Sequence, residues 1–436
     1  MARVVNFFKT VRNNWKKSFV GAAAISYGVN YGIDSYDTQN MMREFCEEAV
    51  KYGDVPIAPK VQPTHMTVIL NPVAKKRKAK KLFEKYCEPL LHLAGIAVTV
   101  IQTESENQAR TLVANLNTRT DGIIVAGGDG TLSDVVTGLM RKYQGNAGYV
   151  KQCPVAILPL GMTNRVADSL LNRDDEYSEA RALAEATMAI VRGNTKLLDV
   201  VEVTTLENDP ENPMKPVYAV GAIEWGAWKD ANSRVDKYWY FGPLRKYVTY
   251  IFNGHKEDLN WKCVATIRYS DPCEGCSRCY QEQNSPIETS SKRWWHAFVP
   301  RQKTSHSEHS HIDYSKVDNE NCGIFKEVPI STTDFFLSTK NVRRKNEDTG
   351  VKVELGPKSV NYTDFVSEGW RRISGKKQEP QKILNAKDIE IHPEKDESFE
   401  DKSRMFYIDN EEFELKAVKI RLLSRSVKMF CPQNGS

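Results

Sequence analysis

The 436-residue sequence contains no apolar run of about 20 residues, the length that a membrane-spanning helix needs. Its longest apolar stretch, residues 18–33, has only sixteen residues. Acidic residues are also absent before Asp34, although five lysines and arginines precede it. A basic, acid-free and amphipathic beginning is typical of mitochondrial targeting. Residues 1–60 are therefore predicted to be a targeting or membrane-associating segment with a linker; the alternative is an ordinary basic helix packed on the next domain.

The nine cysteines are scattered and odd in number, which excludes a secreted disulfide scaffold. The net charge of +5 is modest and argues against a nucleic-acid partner. One cluster, CEGCSRC, contains two Cys-x-x-Cys steps that suit either Zn²⁺ or a local disulfide. The spacing favours a surface loop with reactive or paired thiols, so no metal ligand is assigned. The residues concerned are Cys273, Cys276 and Cys279, with Cys263, His296 and Cys322 as candidates for a fourth ligand.

The sequence lacks an internal repeat, and it lacks G-x-x-x-x-G-K-[ST] and G-x-G-x-x-G motifs at strand ends. Residues 61–200 instead show four apolar runs, each followed by a polar turn and a helical pattern. This alternation predicts a parallel, doubly wound α/β sheet. Ligands bind beyond the carboxyl ends of such strands, so the four turns are expected at one edge. The turns read NPVAKK, QTES, GGDGT and PLGMTN.

Beyond residue 200 the helical signal gives way to short alternating runs, which predict a second, β-rich and sandwich-like domain over residues 201–436. Two polar stretches, near 280–320 and 340–405, are predicted to be loops or partly disordered insertions. The final strands are expected to return toward the first domain. The motif HSEHSH in the first insertion is interpreted as a solvated loop rather than a metal site.

The GGDGT turn has a composition suited to phosphate. Glycines leave backbone N–H groups free to point at an anion, and a helix predicted from near Thr131 adds its positive end. Asp129 is the one charged residue in the turn. A carboxylate beside phosphates suggests Mg²⁺ binding or removal of a proton from an attacking hydroxyl. A helix N-cap is the alternative role.

These motifs resemble the diacylglycerol-kinase catalytic-domain family, lipid kinases that phosphorylate diacylglycerol, sphingosine, ceramide and monoacylglycerol. The resemblance covers about 61–260 and 405–432, and it also includes WGAWKDANSRVDKYWYFGPLRK and IDNEEFE. It implies catalytic roles for Asp129 and Asp409 and a place for Asp230 near the lipid head group. It implies ATP-binding roles for Asn71, Lys75, Thr103, Gly127, Gly128, Gly130, Thr131, Gly161, Asn164, Arg245 and Glu411.

Within that family, LPLGMTNRVA, FYIDNEEFE and the basic N-terminus most resemble the acylglycerol-kinase branch. This resemblance implies ATP- and Mg²⁺-dependent phosphorylation of monoacylglycerol and diacylglycerol, giving lysophosphatidic and phosphatidic acids. It also implies a location on the mitochondrial inner membrane, facing the intermembrane space. Contact with the membrane surface and with carrier-translocase subunits, in a role independent of catalysis, is implied as well.

Some points stay open at the level of sequence. Lys75 stands where many relatives have a small residue, Met162 replaces a common threonine, and Asn410 replaces a glycine. The family's members point to either Asp129 or Asp409 as general base, with a slight preference for Asp129; Asp409 can also be a plain turn residue. The alternatives to an acylglycerol kinase are a ceramide or sphingosine kinase, a soluble nucleotide kinase of similar fold, and a non-enzymatic import subunit.

Overall fold

The computed structural model describes residues 13–56, 62–105, 107–116, 118–172, 178–207, 215–254, 263–273, 276–278, 316–342, 350–394, 405–414 and 416–432. Cys279, His296 and the HSEHSH motif lie outside these ranges, as does most of the predicted insertion near 280–320.

The described helices are α1 (Trp15–Gly53), α2 (Ala74–Arg77), α3 (Ala79–Leu82), α4 (Glu88–Leu93), α5 (Gln108–Ala114), α6 (Asp129–Lys142), α7 (Ala147–Val150), α8 (Arg165–Leu170), α9 (Glu179–Arg192), α10 (Ala227–Ser233), α11 (Arg245–Gly254) and α12 (Tyr362–Ile373). A π-helical turn joins α3 to α4 at Phe83–Cys87, and 3-10 segments lie at Val235–Leu244 and Lys340–Val342.

The described strands are β1 (His65–Leu70), β2 (Ala97–Gln102), β3 (Gly122–Gly127), β4 (Val155–Pro159), β5 (Thr195–Thr205), β6 (Val217–Ala219), β7 (Ala222–Gly226), β8 (Cys263–Ser270), β9 (Phe325–Thr332), β10 (Asp334–Ser338), β11 (Val351–Leu355), β12 (Lys382–Ala386), β13 (Asp388–Pro393), β14 (Met405–Ile408), β15 (Glu411–Glu414) and β16 (Val418–Phe430).

One ten-stranded sheet contains both a parallel and an antiparallel half. Its order is β2-β1-β3-β4-β16-β13-β8-β9, with β5 paired to β16 and β6. Strands β1 to β4 run parallel, and helices cover both faces, so β3 and β4 are buried along their whole length. β16 runs parallel to β4 at Met429–Val155 and antiparallel to β5 and β13. The last described strand therefore lies at the centre of this sheet.

A second sheet of six antiparallel strands, in the order β12-β11-β10-β7-β14-β15, faces the antiparallel half of the first. The core between them includes Trp225 and Phe335 from the second sheet and Ile267 and Ile420 from the first. Trp225 is packed at an angle against Phe335 and Phe406. The α/β domain followed by a β-rich, sandwich-like domain confirms the predicted fold class.

The interpretation of residues 340–405 as loop is wrong for residues 350–394, which form β11, α12, β12 and β13. In β11, Val351, Val353 and Leu355 are buried while the residues between them are partly exposed. β11 therefore has the alternation of buried and partly exposed residues that is typical of a strand. The many lysines and glutamates around it make the segment polar on average, which conceals this alternation in the sequence. Residues 343–349 and 395–404 lie outside the described part of the chain.

Helix α1 packs on the first domain only through its carboxyl-terminal part. Ala49 is buried, and Phe45 lies against the cluster that includes Leu90 and Met188. The Arg192 guanidinium donates two hydrogen bonds of 2.7 Å to Glu48. Upstream, the helix exposes large apolar side chains, namely Trp15, Phe19, Val20, Ile25, Tyr27, Val29, Tyr31, Ile33 and Tyr36. Among the described helices, none is long and apolar enough to span a bilayer.

Candidate active site

Three turns meet at the carboxyl end of the parallel strands. They follow β3 (residues 127–131), β4 (residues 160–164) and β14 (residues 408–411). A Cβ placed on Gly161 would lie 2.2 Å from Gly128 Cα, and one on Gly128 would lie 2.7 Å from the Thr163 carbonyl oxygen. The first two turns are thus in backbone-to-backbone contact, which only glycine permits at these positions.

Side-chain hydrogen bonds fix the same turns. Asn164 accepts from the Gly161 N–H at 3.0 Å through Oδ1 and donates to the Gly161 carbonyl at 3.2 Å. Asn71, just beyond β1, lies 3.5 Å from the Thr131 hydroxyl through Nδ2. The Thr131 side chain occupies the space beside Gly127, where a Cβ would lie 2.7 Å from its hydroxyl oxygen. Six of the predicted ATP-binding residues therefore lie together.

Asp129 is buried at the first position of α6. Its carboxylate accepts one backbone hydrogen bond on each oxygen, from Arg165 at 2.9 Å and from Val166 at 3.2 Å. Both donors begin α8, so Asp129 joins the start of one helix to the start of the next. Burial is the main cause that raises the pKa of Asp129, against the lowering effect of these hydrogen bonds.

Asp409 is buried opposite Asp129 and has a positive φ of 46°. Its carboxylate accepts three backbone hydrogen bonds of 2.7–3.0 Å, from Val220, Gly221 and Ala222. Burial and the charge of Asp129 nevertheless raise the pKa of Asp409 to about 7. Two buried carboxylates that repel each other form a site where a cation is stabilised.

A buried ion-pair network that the sequence interpretation missed lies beside these carboxylates. Glu224, inside β7, pairs with Arg165 and, at 2.6 Å, with Lys229. Burial raises the pKa of Glu224, but the two cations dominate and lower it to about 2. Arg165 also interacts electrostatically with Asp129 and Asp409. The sequence does contain a sign of this network, because Glu224 is the one charged residue in the otherwise apolar run AVGAIEWGAW.

A second missed network reaches Glu411. Arg110 of α5 pairs with Asp134 of α6 at 2.5 Å and with Glu411 at 3.1 Å. Burial and the charge of Asp134 raise the pKa of Glu411. Gly130 packs against this turn, since a Cβ there would lie 3.4 Å from the Asp409 carbonyl oxygen. Glu411 therefore belongs to the same site as the glycine turn, in contact with its supporting helices.

Two other predicted ATP-binding residues, Thr103 and Lys75, belong to the first domain. Thr103 is buried at the end of β2, and its N–H donates to the Leu70 carbonyl. Lys75 has a positive φ and pairs with Glu179 at 3.0 Å. The structure therefore turns Lys75 toward the first turn of α9.

Two further predicted residues belong to the second domain. Arg245 begins α11 and pairs with Asp236 at 2.9 Å, without a hydrogen bond or ion pair to the glycine turns. Asp230 of α10 lies beside Tyr407, whose pKa is raised by burial and, in part, by the charge of Asp230. Tyr407 belongs to β14, two residues before Asp409.

The chemistry of the cluster suits a nucleotide and a divalent cation. Glycines without room for a side chain line the start of the 14-residue helix α6, a favourable place for phosphate. Carboxylate oxygens, here those of Asp129 and Asp409, are the ligands that Mg²⁺ prefers. The residues present therefore fit the phosphates of ATP and a magnesium ion.

Two family models match the chain. Residues 65–203 match the diacylglycerol kinase catalytic domain, and residues 220–435 match the acylglycerol kinase C-terminal model. Together with the fold, these matches define a lipid kinase. A crystal structure of a diacylglycerol kinase from Bacillus anthracis aligns over 86% of this chain and 99% of that one, at 15% identity and a TM-score of 0.47.

Comparison with curated relatives identifies the family of lipid kinases to which the chain is most similar among those compared. Mitochondrial acylglycerol kinases from Homo sapiens and Xenopus laevis are 32% and 33% identical over 98% and 99% of this chain, and each alignment covers 96% of the relative. Human ceramide kinase is 28% identical over 53% of this chain and 44% of its own length. The chain belongs to the acylglycerol kinase family, which confirms the predicted resemblance.

The contact between the two glycine turns can be tested by a substitution that adds one methyl group to Gly161. We expect Gly161→Ala to lower the free energy of unfolding by about 1–3 kcal/mol, because the new Cβ overlaps the Gly128 backbone. ATP should then raise the melting temperature less than it does in the wild type. Gly28→Ala is the control, since nothing lies within 4 Å of its Cβ. Equal stability and equal ATP protection in the two variants would contradict the close contact.

Proposed function

We propose that this lipid kinase transfers the γ-phosphate of ATP to a hydroxyl of monoacylglycerol or diacylglycerol, giving lysophosphatidic or phosphatidic acid. The observation that carries the proposal is the position of the carboxylate pair. Asp129 lies within the first glycine turn, and Asp409 directly follows Ile408, which lines an apolar cavity of the second domain.

The cavity lies between the two sheets and has a volume of about 570 Å³, part of it open to solvent. Apolar side chains dominate its lining, including Ile223, Phe406, Ile408 and Phe413; the charged residues of the lining are Lys215, Glu414 and Lys416. Ile408 immediately precedes Asp409 in the chain. The apolar lining of the cavity suits an acyl chain.

The hydrogen bonds support different roles for the two carboxylates. Each oxygen of Asp129 accepts one backbone N–H, whereas the Asp409 carboxylate accepts three in total. Asp129 thus retains more acceptor capacity, and we assign to it the proton of the acceptor hydroxyl. Asp409 and Glu411 are assigned to the magnesium side of the site. Mg²⁺, when bound, neutralises charge that develops on the phosphates.

The nucleotide is assigned to the turns that meet at the edge of the parallel sheet. Asn71, Thr131 and Asn164 hold these turns, and the glycines bring backbone toward the phosphates. Thr103 borders the same edge. An ATP contact by Lys75 or Arg245 requires its ion pair with Glu179 or Asp236 to open. Asp230 is assigned to the glycerol end of the lipid.

An exposed aromatic segment supports access to a lipid surface. Within the 3-10 segment at Val235–Leu244, Trp239 is 72% exposed, and Tyr240 and Leu244 are each 61% exposed. Lys237 and Lys246 flank this group in the sequence. Aromatic side chains with nearby cations are typical of the boundary between membrane and water.

We also propose a location on the mitochondrial inner membrane, facing the intermembrane space. The names of the relatives, the acid-free N-terminus and the exposed apolar side of α1 support it. An interaction with carrier-translocase subunits is retained as a second role. A non-enzymatic import subunit is the alternative to a kinase with that additional role.

The acceptor is testable with purified protein, labelled ATP, Mg²⁺ and mixed micelles. We expect phosphate transfer to monoacylglycerol and diacylglycerol and little to ceramide or sphingosine. Asp129→Asn should lower the rate by about 10²- to 10⁴-fold, because the group that accepts the proton is removed. Asp364→Asn, which changes an exposed carboxylate in α12, should retain the wild-type rate.

Circular dichroism and the unfolding midpoint verify that Asp129→Asn is folded. A folded Asp129→Asn variant with the wild-type rate would remove Asp129 from the proposed mechanism. A preference for ceramide or sphingosine would replace the proposed acceptor. If no lipid is phosphorylated while translocase subunits still bind, the non-enzymatic interpretation is supported instead.

The aromatic segment is testable with liposomes. We expect a Trp239→Ala and Leu244→Ala double variant to sediment at least several-fold less with anionic liposomes, since two exposed apolar side chains no longer enter the interface. Its rate on short-chain, monomeric acylglycerol should be unchanged. The matched control is Tyr149→Ala, which removes an exposed aromatic of the first domain. Equal sedimentation of both variants would exclude the segment from membrane contact.

The N-terminal segment is testable by deletion of residues 1–35. The carboxyl-terminal part of α1, which packs on the first domain through Phe45 and Ala49, is kept, so the melting temperature should change little. In fractionated mitochondria, the truncated chain should be recovered in the soluble fraction, while the full chain should sediment with the membranes. Retention of both chains would disprove the proposed anchor.

A further inference from the structure

The three described cysteines of the CEGC and NCG motifs converge at one end of the β8–β9 hairpin. Cys273 and Cys276 follow β8, and Cys322 precedes β9. The two strands are antiparallel neighbours whose last pair is Ser270 with Phe325. The pairing of the strands therefore brings together two cysteine segments that are almost fifty residues apart in sequence.

The sulfur atoms of Cys273, Cys276 and Cys322 lie within 4.8 Å of one another. A tetrahedral zinc ion with Zn–S bonds of about 2.3 Å holds its sulfurs about 3.8 Å apart, so small shifts would complete the geometry. A disulfide would use two of the three sulfurs. Cys276 is fully buried although its neighbours in sequence are polar. Three sulfur atoms this close together, one of them buried, suit coordination to one metal ion.

Hydrogen bonds hold the two segments in place around the sulfurs. The Ser277 N–H donates to the Val317 carbonyl at 2.8 Å, and the Arg278 guanidinium donates to the Glu320 carbonyl at 2.8 Å. The Cys322 N–H donates to the Asn319 carbonyl at 3.1 Å. The loops are therefore connected independently of the cysteines.

Asn319 also contacts the cluster directly, because its Nδ2 donates to the Cys273 sulfur at 3.4 Å. An N–H group aimed at sulfur stabilises a thiolate, and such outer contacts accompany metal–thiolate sites. Asn319 is further held by the Asn321 N–H, which donates to its Oδ1 at 3.1 Å.

We propose that Cys273, Cys276 and Cys322 bind a structural zinc ion as thiolates. The Cys-x-x-Cys step supplies two ligands from the segment after β8, and Cys322 supplies the third from the segment before β9. Binding displaces three thiol protons to solvent, and no oxidant is needed. Three thiolates leave one tetrahedral position for a water molecule or another ligand. The ion joins the segment after β8 to the segment before β9.

The metal content of the full-length chain, purified without chelators, tests the proposal. We expect about one zinc per chain by elemental analysis, released when a mercurial reagent blocks the thiols. The Cys276→Ser and Cys322→Ser variants should each retain less than a tenth of the wild-type zinc content. Cys431→Ser is the matched control, because it removes a half-buried cysteine elsewhere and should retain all of it.

X-ray absorption at the zinc edge of the wild type is the second measurement, since it does not require the variants to fold. At least three sulfur neighbours at about 2.3 Å are expected. Any of three results would overturn the proposal: a chain without zinc after purification in zinc-containing buffer, a disulfide between two of the three cysteines, or zinc that persists in both cysteine variants.

Discussion

The Asp409 carboxylate accepts hydrogen bonds from the three consecutive backbone N–H groups of residues 220–222, and these bonds fix the turn by which the second domain meets the glycine turns. Hydrogen bonds to a charged acceptor contribute about 1.5–3 kcal/mol each, which offsets part of the cost of a buried charge. The turn that carries Asp409 packs on Gly130 and donates from Asn410 to the Thr163 hydroxyl. The candidate active site therefore depends on a hairpin nearly three hundred residues away from the glycine turn.

Local signals in the sequence predicted the elements that local geometry determines. The glycines at positions 128 and 161 indicated turns where backbone approaches closely, and the structure has such contacts there, while Gly127 leaves room for the Thr131 side chain. Alternating strands and helices indicated the parallel sheet, since each strand carries its own apolar pattern. The prediction of loops over 340–405 is wrong for residues 350–394, because buried residues such as Val353 and Phe365 stand between charged neighbours. An average over that segment loses the periodicity.

The charge networks could not be predicted, because their members are distant in sequence. Arg110 and Glu411 are 301 residues apart, and Arg165 and Glu224 are 59 apart. Nothing near either arginine identifies its partner. The same limitation applies to Lys75, which sequence position alone directs toward phosphate but which pairs with Glu179 in the folded chain. Long-range partners follow from the assembled topology rather than from any motif.

Strand β16 has a consequence for the order in which the protein is assembled. It is the last strand to be synthesised among those described, yet it separates β4 from β13 at the centre of the larger sheet. A chain still emerging from a ribosome or a translocation pore lacks this strand and the Asp409 turn before it. The two halves of the sheet cannot join at that stage. The complete candidate site therefore forms only after the Asp409 turn and β16 have joined the fold.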